Sequence, residues 1–231
     1  MIYGTRGRAV GPRFVERWSI FFWDVPFQLR FKKPRDLFFG CGDFGNKLAL
    51  AIVLQEWETA DYFCKQMLRV EKFRLGGSPL SPFLLKLYSM RNPAIFDGVS
   101  EPEKSYGVYG TVFAAWDDPV KLAGALDVVC DYHMMRTGDD HEFSWPPFET
   151  LATEILAVLR IRQELGLETP RIDNQLLDSP WCQLPGLVPL ETDELLERLQ
   201  QVARDEVPDL PTREKCPMLL DRSARSSEFS A

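Results

Sequence analysis

The stretch from Asp118 to the helix-ending Gly138 leaves the chain little choice of local structure. Asp118-Pro119 pairs a helix-capping carboxylate with a proline at the first helical position, where the missing N–H costs nothing. Behind it Leu122, Ala125, Leu126, Val129, Cys130 and His133 recur at the spacing of one helix face. A strand would need alternation at a period of two, and this segment has none.

The same reading extends both ways. The run Leu48–Leu54 is apolar throughout and leads to Trp57. Thr59 can cap a following helix whose apolar positions are Ala60, Phe63, Cys64, Met67 and Leu68. Ser81-Pro82 predicts the start of a helix reaching about Met90, stopped by Asn92-Pro93. A short apolar helix is expected from about Ser105 to Trp116, before the Asp118-Pro119 start. Pro146-Pro147 opens a further helix with Phe148, Leu151, Ala152, Ile155, Leu156 and Leu159 inward, closed by Gly166. Thr192 caps a last one, with Leu195, Leu196, Leu199, Val202 and Ala203 along one face and Pro208 at its end. Period-two alternation occurs only at Phe27–Lys32, a short extended segment before Pro34.

The expected fold class is therefore all-α (mainly α): a helical bundle or αα-hairpin repeat-like domain with a short extended N-terminal segment. Residues 1–17 read as a basic irregular arm, 18–210 as a single helical domain and 211–231 as a flexible tail. An apolar helix ending at Trp57-Glu58 and another ending at Trp116-Asp117, each followed by an amphipathic helix, are the grounds for the hairpin-repeat variant.

Charge narrows the partners. Residues 1–75 carry 13 Lys/Arg against 8 Asp/Glu, residues 76–160 carry 6 against 12, and residues 161–231 carry 8 against 14, so the net −7 resides in the body. Neutralising phosphates needs concentrated Lys/Arg, so nucleic acid is not the expected partner and a basic protein is. Cys41, Cys64, Cys130, Cys182 and Cys216 are odd in number and lack a C-x-x-C, which is usage for a reducing compartment. Asp24, Pro26, Gln28 and Arg30 interrupt the aromatic stretch Trp18–Phe31, so no membrane span is expected, and the expected location is cytoplasmic.

Two motifs bear on catalysis. Gly40-Cys41-Gly42-Asp43-Phe44-Gly45 is a G-x-G-x-x-G after Leu37-Phe38-Phe39 and before a helix expected from about Asn46. Residues 36–54 resemble the first motif of class I methyltransferases, which implies S-adenosylmethionine held at Gly40–Gly45. A nucleotide fold, however, needs a second strand ending in Asp or Glu about twenty residues further on. Thr59–Arg74 occupies that place as a helix, so the glycines read as a turn and helix start. Asp131, His133, Asp139, Asp140, His141 and Glu142 bring carboxylates and imidazoles together, but without H-E-x-x-H or H-x-H spacing. His133 falls on an apolar stripe and reads as a core histidine, while Asp139–Glu142 follows Gly138 as a solvated loop. No catalytic residue, cofactor or metal is expected, and the chain does not read as an enzyme.

What remains is an acidic surface of Asp117, Asp118, Asp127, Asp131, Asp139, Asp140 and Glu142, with Trp145 as an aromatic anchor and Trp116 as a second, more core-like one. Asp127 and Asp131 are four residues apart on one helix, and a basic partner would offset their repulsion. In general character the chain resembles the small acidic helical immunity proteins of bacterial secreted-toxin systems. That resemblance implies neutralisation of one cognate toxin or effector through the acidic residues. A helical-repeat scaffold that accepts a peptide is the third reading, beside the methyltransferase.

Overall fold

A computed structural model describes residues 43–69, 78–96, 106–138, 142–144, 148–179 and 182–184, together with Glu194, Glu197, Arg198, Gln201, Val202 and Asp205. Among them it is mainly α, with no strand. The helices are α1 (Asp43–Val53), α2 (Trp57–Arg69), α3 (Leu80–Arg91), α4 (Gly110–Ala114), α5 (Pro119–Met135) and α6 (Thr153–Glu164), with short 3-10 turns at Pro93–Phe96, Gly107–Tyr109 and Gln175–Asp178. The basic arm, the Phe27–Lys32 segment and the 211–231 tail lie outside the described residues. No described helix is long and apolar enough to cross a membrane.

Helix α1 is the centre of the core. Leu48 to Val53 are all buried, and the helix packs on α2, α3 and α6. A helix apolar on every side has no solvent face to offer, which is why Leu48–Leu54 reads as a continuous run. The helix begins at Asp43, three residues earlier than the sequence suggests, so Gly45 lies inside it. A Cβ at Gly45 would come 2.9 Å from Leu80 Cγ and 3.1 Å from Ser81 Oγ. Close approach of α1 to the start of α3 therefore requires glycine here, within the helix start that the sequence suggests for it. Gly40 and Gly42 lie outside the described residues. Gly45→Ala should destabilise the fold by about 1–3 kcal/mol through overpacking, despite alanine's better helix propensity. Urea unfolding of the variant checks this.

Helix ends follow local chemistry. Past Val53, the Gln55 N–H reaches Ile52 O and the Glu56 N–H reaches Ala51 O, a Schellman closure with Gln55 at φ 60° where glycine is usual. Helix α6 ends the same way with Gly166 at φ 69°, its N–H on Gln163 O and the Leu167 N–H on Arg162 O. Asp118 caps α5 as expected, accepting from the Val120 and Lys121 N–H groups at 3.1 Å each. Other starts differ from the expected ones: α2 begins at Trp57, so Thr59 lies within its first turn instead of capping it, and α4 begins only at Gly110. α3 begins at Leu80, so Ser81 sits buried within the first turn instead of capping it, and Ser78 Oγ accepts the Leu80 N–H. Pro82 is still in the first turn, where its absent N–H leaves no bond unmade. α6 begins only at Thr153, because Ala152 (φ −72°, ψ 65°) forms a tight turn with the Thr153 N–H on Leu151 O. Phe148, Leu151 and Ala152 are buried as expected, but ahead of the helix and not on it.

Between α2 and α3, Asp61 accepts from Tyr88 Oη at 2.7 Å and Asn92 Nδ2 at 2.8 Å, and the Arg91 guanidinium lies 3.8 Å from the Trp57 ring centre. Helix α5 rests on α4, on Gly107–Tyr109 and on α6, at the margin of this core.

Candidate functional site

The inner face of α5 is Leu122, Leu126, Val129, Cys130 and His133, all buried. Ala125, placed on the same stripe by its spacing, is half-buried and packs against the core. His133 Nδ1 lies 2.7 Å from Glu154 Oε1 of α6, and both side chains are 0% exposed. Phe143 stacks on the imidazole with centroids 4.0 Å apart. Burial pushes the His133 pKa down. The Glu154 charge, its hydrogen bond and the nearby backbone of Glu149 and Phe148 outweigh that, and the net shift is upward. Protonated His133 neutralises Glu154, so the pair can remain buried. His133 is thus a core histidine with one partnered nitrogen; Nε2 has no partner in hydrogen-bonding geometry.

Glu142 departs from its expected place on a solvated loop. The Phe143 N–H bonds to Arg136 O at 3.2 Å, which folds the chain after α5 back on itself and carries Glu142 inward to 4% exposure. There Ser78 Oγ donates to Oε1, Tyr132 Oη donates to Oε2 at 2.7 Å, and Asn46 Nδ2 donates to the backbone carbonyl at 2.9 Å. Arg136 Nε stands 3.9 Å from Oε2. Burial first, then the Glu142 hydrogen bond, pushes the Tyr132 pKa well above its ordinary value. Tyr109 is fully buried between these elements, stacked on Phe83 at 4.5 Å, and burial raises its pKa, reinforced by the Glu154 and Glu142 charges. Glu142 therefore ties the post-α5 turn to the core and is not available to a partner.

The other acidic residues divide. Asp117, Asp127 and Asp131 are exposed. Asp118 is half-buried at the cap, with Lys121 Nζ at 3.1 Å from Oδ2. Its hydrogen bonds and contact with Lys121 hold its pKa low. Asp127 Oδ1 accepts from Asn174 Nδ2 at 2.7 Å and keeps its second oxygen toward solvent. Trp116 is buried, beneath the Arg162 guanidinium at 5.1 Å. Asp139, Asp140, His141 and Trp145 lie outside the described residues. Among the described residues no three His, Cys, Asp or Glu side chains converge as metal ligands.

The sequence reading missed the apolar half of this surface. Val120 (83% exposed), Val128, Met134 and Met135 (71%) stand on the outer side of α5, among Asp127 and Asp131. They are four of the seven large apolar side chains exposed among the described residues. The signal was in the composition of the helix: PVKLAGALDVVCDYHMM is apolar on the side facing away from its stripe as well as along it. Such a helix reads as one covered on both faces, yet only one face is covered within the described chain. Comparison with protein-family models, with curated proteins and with solved structures finds no match to this chain.

Proposed function

We propose that this chain is a protein-binding module of the immunity type, acting in the cytoplasm, which engages a single basic toxin or effector through the outer face of α5. The observation that carries the reading is the pairing of exposed Val120, Val128 and Met135 with the carboxylates of Asp127 and Asp131 on one helix face, with Asp117 just before it. Apolar groups desolvated at the centre and charges at the rim are the usual anatomy of a protein interface. Carboxylates at the rim would speed the approach of a positive surface and reject a negative one.

Affinity capture of the tagged chain from its host, at low and high salt, tests the reading. One stoichiometric basic partner, lost as salt rises, supports it; no partner at either salt removes it. With that partner purified, changing Asp117, Asp127 and Asp131 together to asparagine should lower the association rate about tenfold or more at low salt and leave thermal unfolding nearly unchanged. An asparagine in place of Asp127 keeps a side-chain oxygen for the Asn174 bond, so the variant removes charge and not the contact.

A further inference from the structure

Gly124 sits within α5, one turn past Val120 and one turn before Val128 on the apolar outer face, and nothing within the described chain explains it. Glycine is the poorest helix residue short of proline in such a place. A Cβ added there meets no heavy atom within 4 Å, and the backbone is ordinary helix, so neither crowding nor a left-handed conformation calls for it. Gly45 is the contrast, since the space its Cβ would take is filled by Leu80. The remaining use of a helical glycine is to let a second backbone come close.

Its neighbours form the rest of a seat. Val120, Gly124 and Val128 follow at four-residue steps and make one ridge-and-notch line along the helix, while Asp127, Asp131 and Met135 form the next four-residue row beside it. Lys121, on the other side, is paired with Asp118, so the unbalanced charge beside the line is acidic.

We propose that α5 is the seat for a helix of the basic partner, packed across Gly124 at close range, with Lys or Arg side chains of that helix set against Asp127 and Asp131; this rests on the protein-binding reading above. The partner helix carries a line of small apolar residues to enter the notch, and its basic edge lies on the Asp127–Asp131 side. A second copy of this chain is the poorer occupant. An antiparallel two-fold pair crossing at Gly124 would set the Asp127–Asp131 edges on the same side, and in either direction the pair would join molecules that each carry a net charge of −7.

The test uses the full chain and two stapled helical peptides of about eighteen residues, long enough to span the α5 face. Both carry an Ala/Leu line, one with Arg along a single edge and the other with Glu there, and binding is read by fluorescence anisotropy. The Arg peptide should bind, weaken as salt rises, and lose about tenfold or more in affinity against Gly124→Leu. That variant fits the open space and should unfold no earlier than the parent. Gly124→Ala should raise the melting temperature while weakening the peptide less. If Gly124→Leu disturbs the fold, Val128→Asp on the same line should give the same loss. Equal binding of the Arg peptide to the parent and to both Gly124→Leu and Val128→Asp overturns the inference, as does binding of the Glu peptide as tightly as the Arg one. A dimer in sedimentation that Gly124→Leu dissolves would name a second copy as occupant and also overturn it. The captured natural partner separates the two levels. Retention by Gly124→Leu equal to the parent removes the α5 seat and leaves the binding reading standing, whereas absence of any partner for the parent removes both.

Discussion

Glu154→Ala should lower the unfolding free energy by about 3–5 kcal/mol, the usual cost of breaking a buried pair from one side. That is a large part of the total stability of a domain of this kind, about 5–15 kcal/mol. The reason is geometric. His133 and Glu154 are both 0% exposed and 2.7 Å apart, so neither has bulk water to take the place of a lost partner. Removing Glu154 leaves Nδ1 of His133 without a partner beside a Nε2 that already lacks one. The ring must then shed its proton or carry it unpaired in an apolar site. A double variant, His133→Phe with Glu154→Leu, removes both ends and should recover most of the loss, since apolar residues of similar size commonly replace a buried pair at little cost. A double-mutant cycle by urea unfolding decides it. If the double variant is as unstable as Glu154→Ala alone, the pair is not the source of the effect.

The same pair sets a pH dependence whose sign is fixed by the direction of the His133 shift. Burial opposes the charged ring, but Glu154 and the surrounding backbone raise its pKa in the folded protein above the ordinary value of about 6.5. A raised histidine pKa means that the folded state binds the proton more tightly than the unfolded one. Its contribution is therefore complete below about pH 6.5 and is lost as pH rises through the folded value. Melting temperature should fall across that upward window in the parent and stay flatter in the His133→Phe/Glu154→Leu variant. The loss would be felt on the outer face of α5 as well, since His133 lies on the inner side of the helix whose outer side carries Val128 and Asp131.

Local signals are legible wherever one residue's chemistry decides the outcome. The Asp118-Pro119 cap, the inward stripe from Leu122 to His133 and the Gly166 closure all stand in the structure at the expected places. Signals fail where the deciding group is distant in sequence. Nothing near Gly45 announces that Leu80 will press against it, and nothing near Glu142 announces Ser78, 64 residues away, as its partner. The start of α6 is set by a tight turn at Ala152, a residue with no turn preference of its own, and so the Pro146-Pro147 signal misleads. For the surface the difficulty is of another kind. Charge is visible in a sequence, so the carboxylates stand out as a site, but an exposed valine looks the same on paper as a buried one. The stripe spacing places Val129 inward, but only the packing of α5 shows that the face with Val120 and Val128 is left open among the described residues.

Arg162→Met should cost about 1–3 kcal/mol, the scale of leaving one buried carbonyl unmet, and should loosen the entrance of α5. Arg162 is 2% exposed, and its guanidinium directs its donors at two backbone carbonyls. Nη1 donates to Trp116 O at 2.5 Å, while Nε and Nη2 both donate to Glu168 O at 2.8 and 2.7 Å. Trp116 ends the turn that leads into α5, and Glu168 follows the Gly166 closure of α6, so one side chain clamps the entrance of α5 to the exit of α6. Methionine keeps the apolar stem and its packing but leaves the buried Trp116 carbonyl without that donor, at about 1–3 kcal/mol, while water can reach the exposed Glu168. Lysine keeps the charge and still fails, because a single ammonium cannot present a planar fork to two separate carbonyls. The order of stability should therefore be parent, then Arg162→Lys, then Arg162→Met. Hydrogen exchange should show the added opening concentrated at the first turns of α5, where Val120 and Gly124 stand. A uniform rise in exchange across the core, with α5 no more affected than α1, would mean that Arg162 contributes only to global stability and does not hold α5 in place.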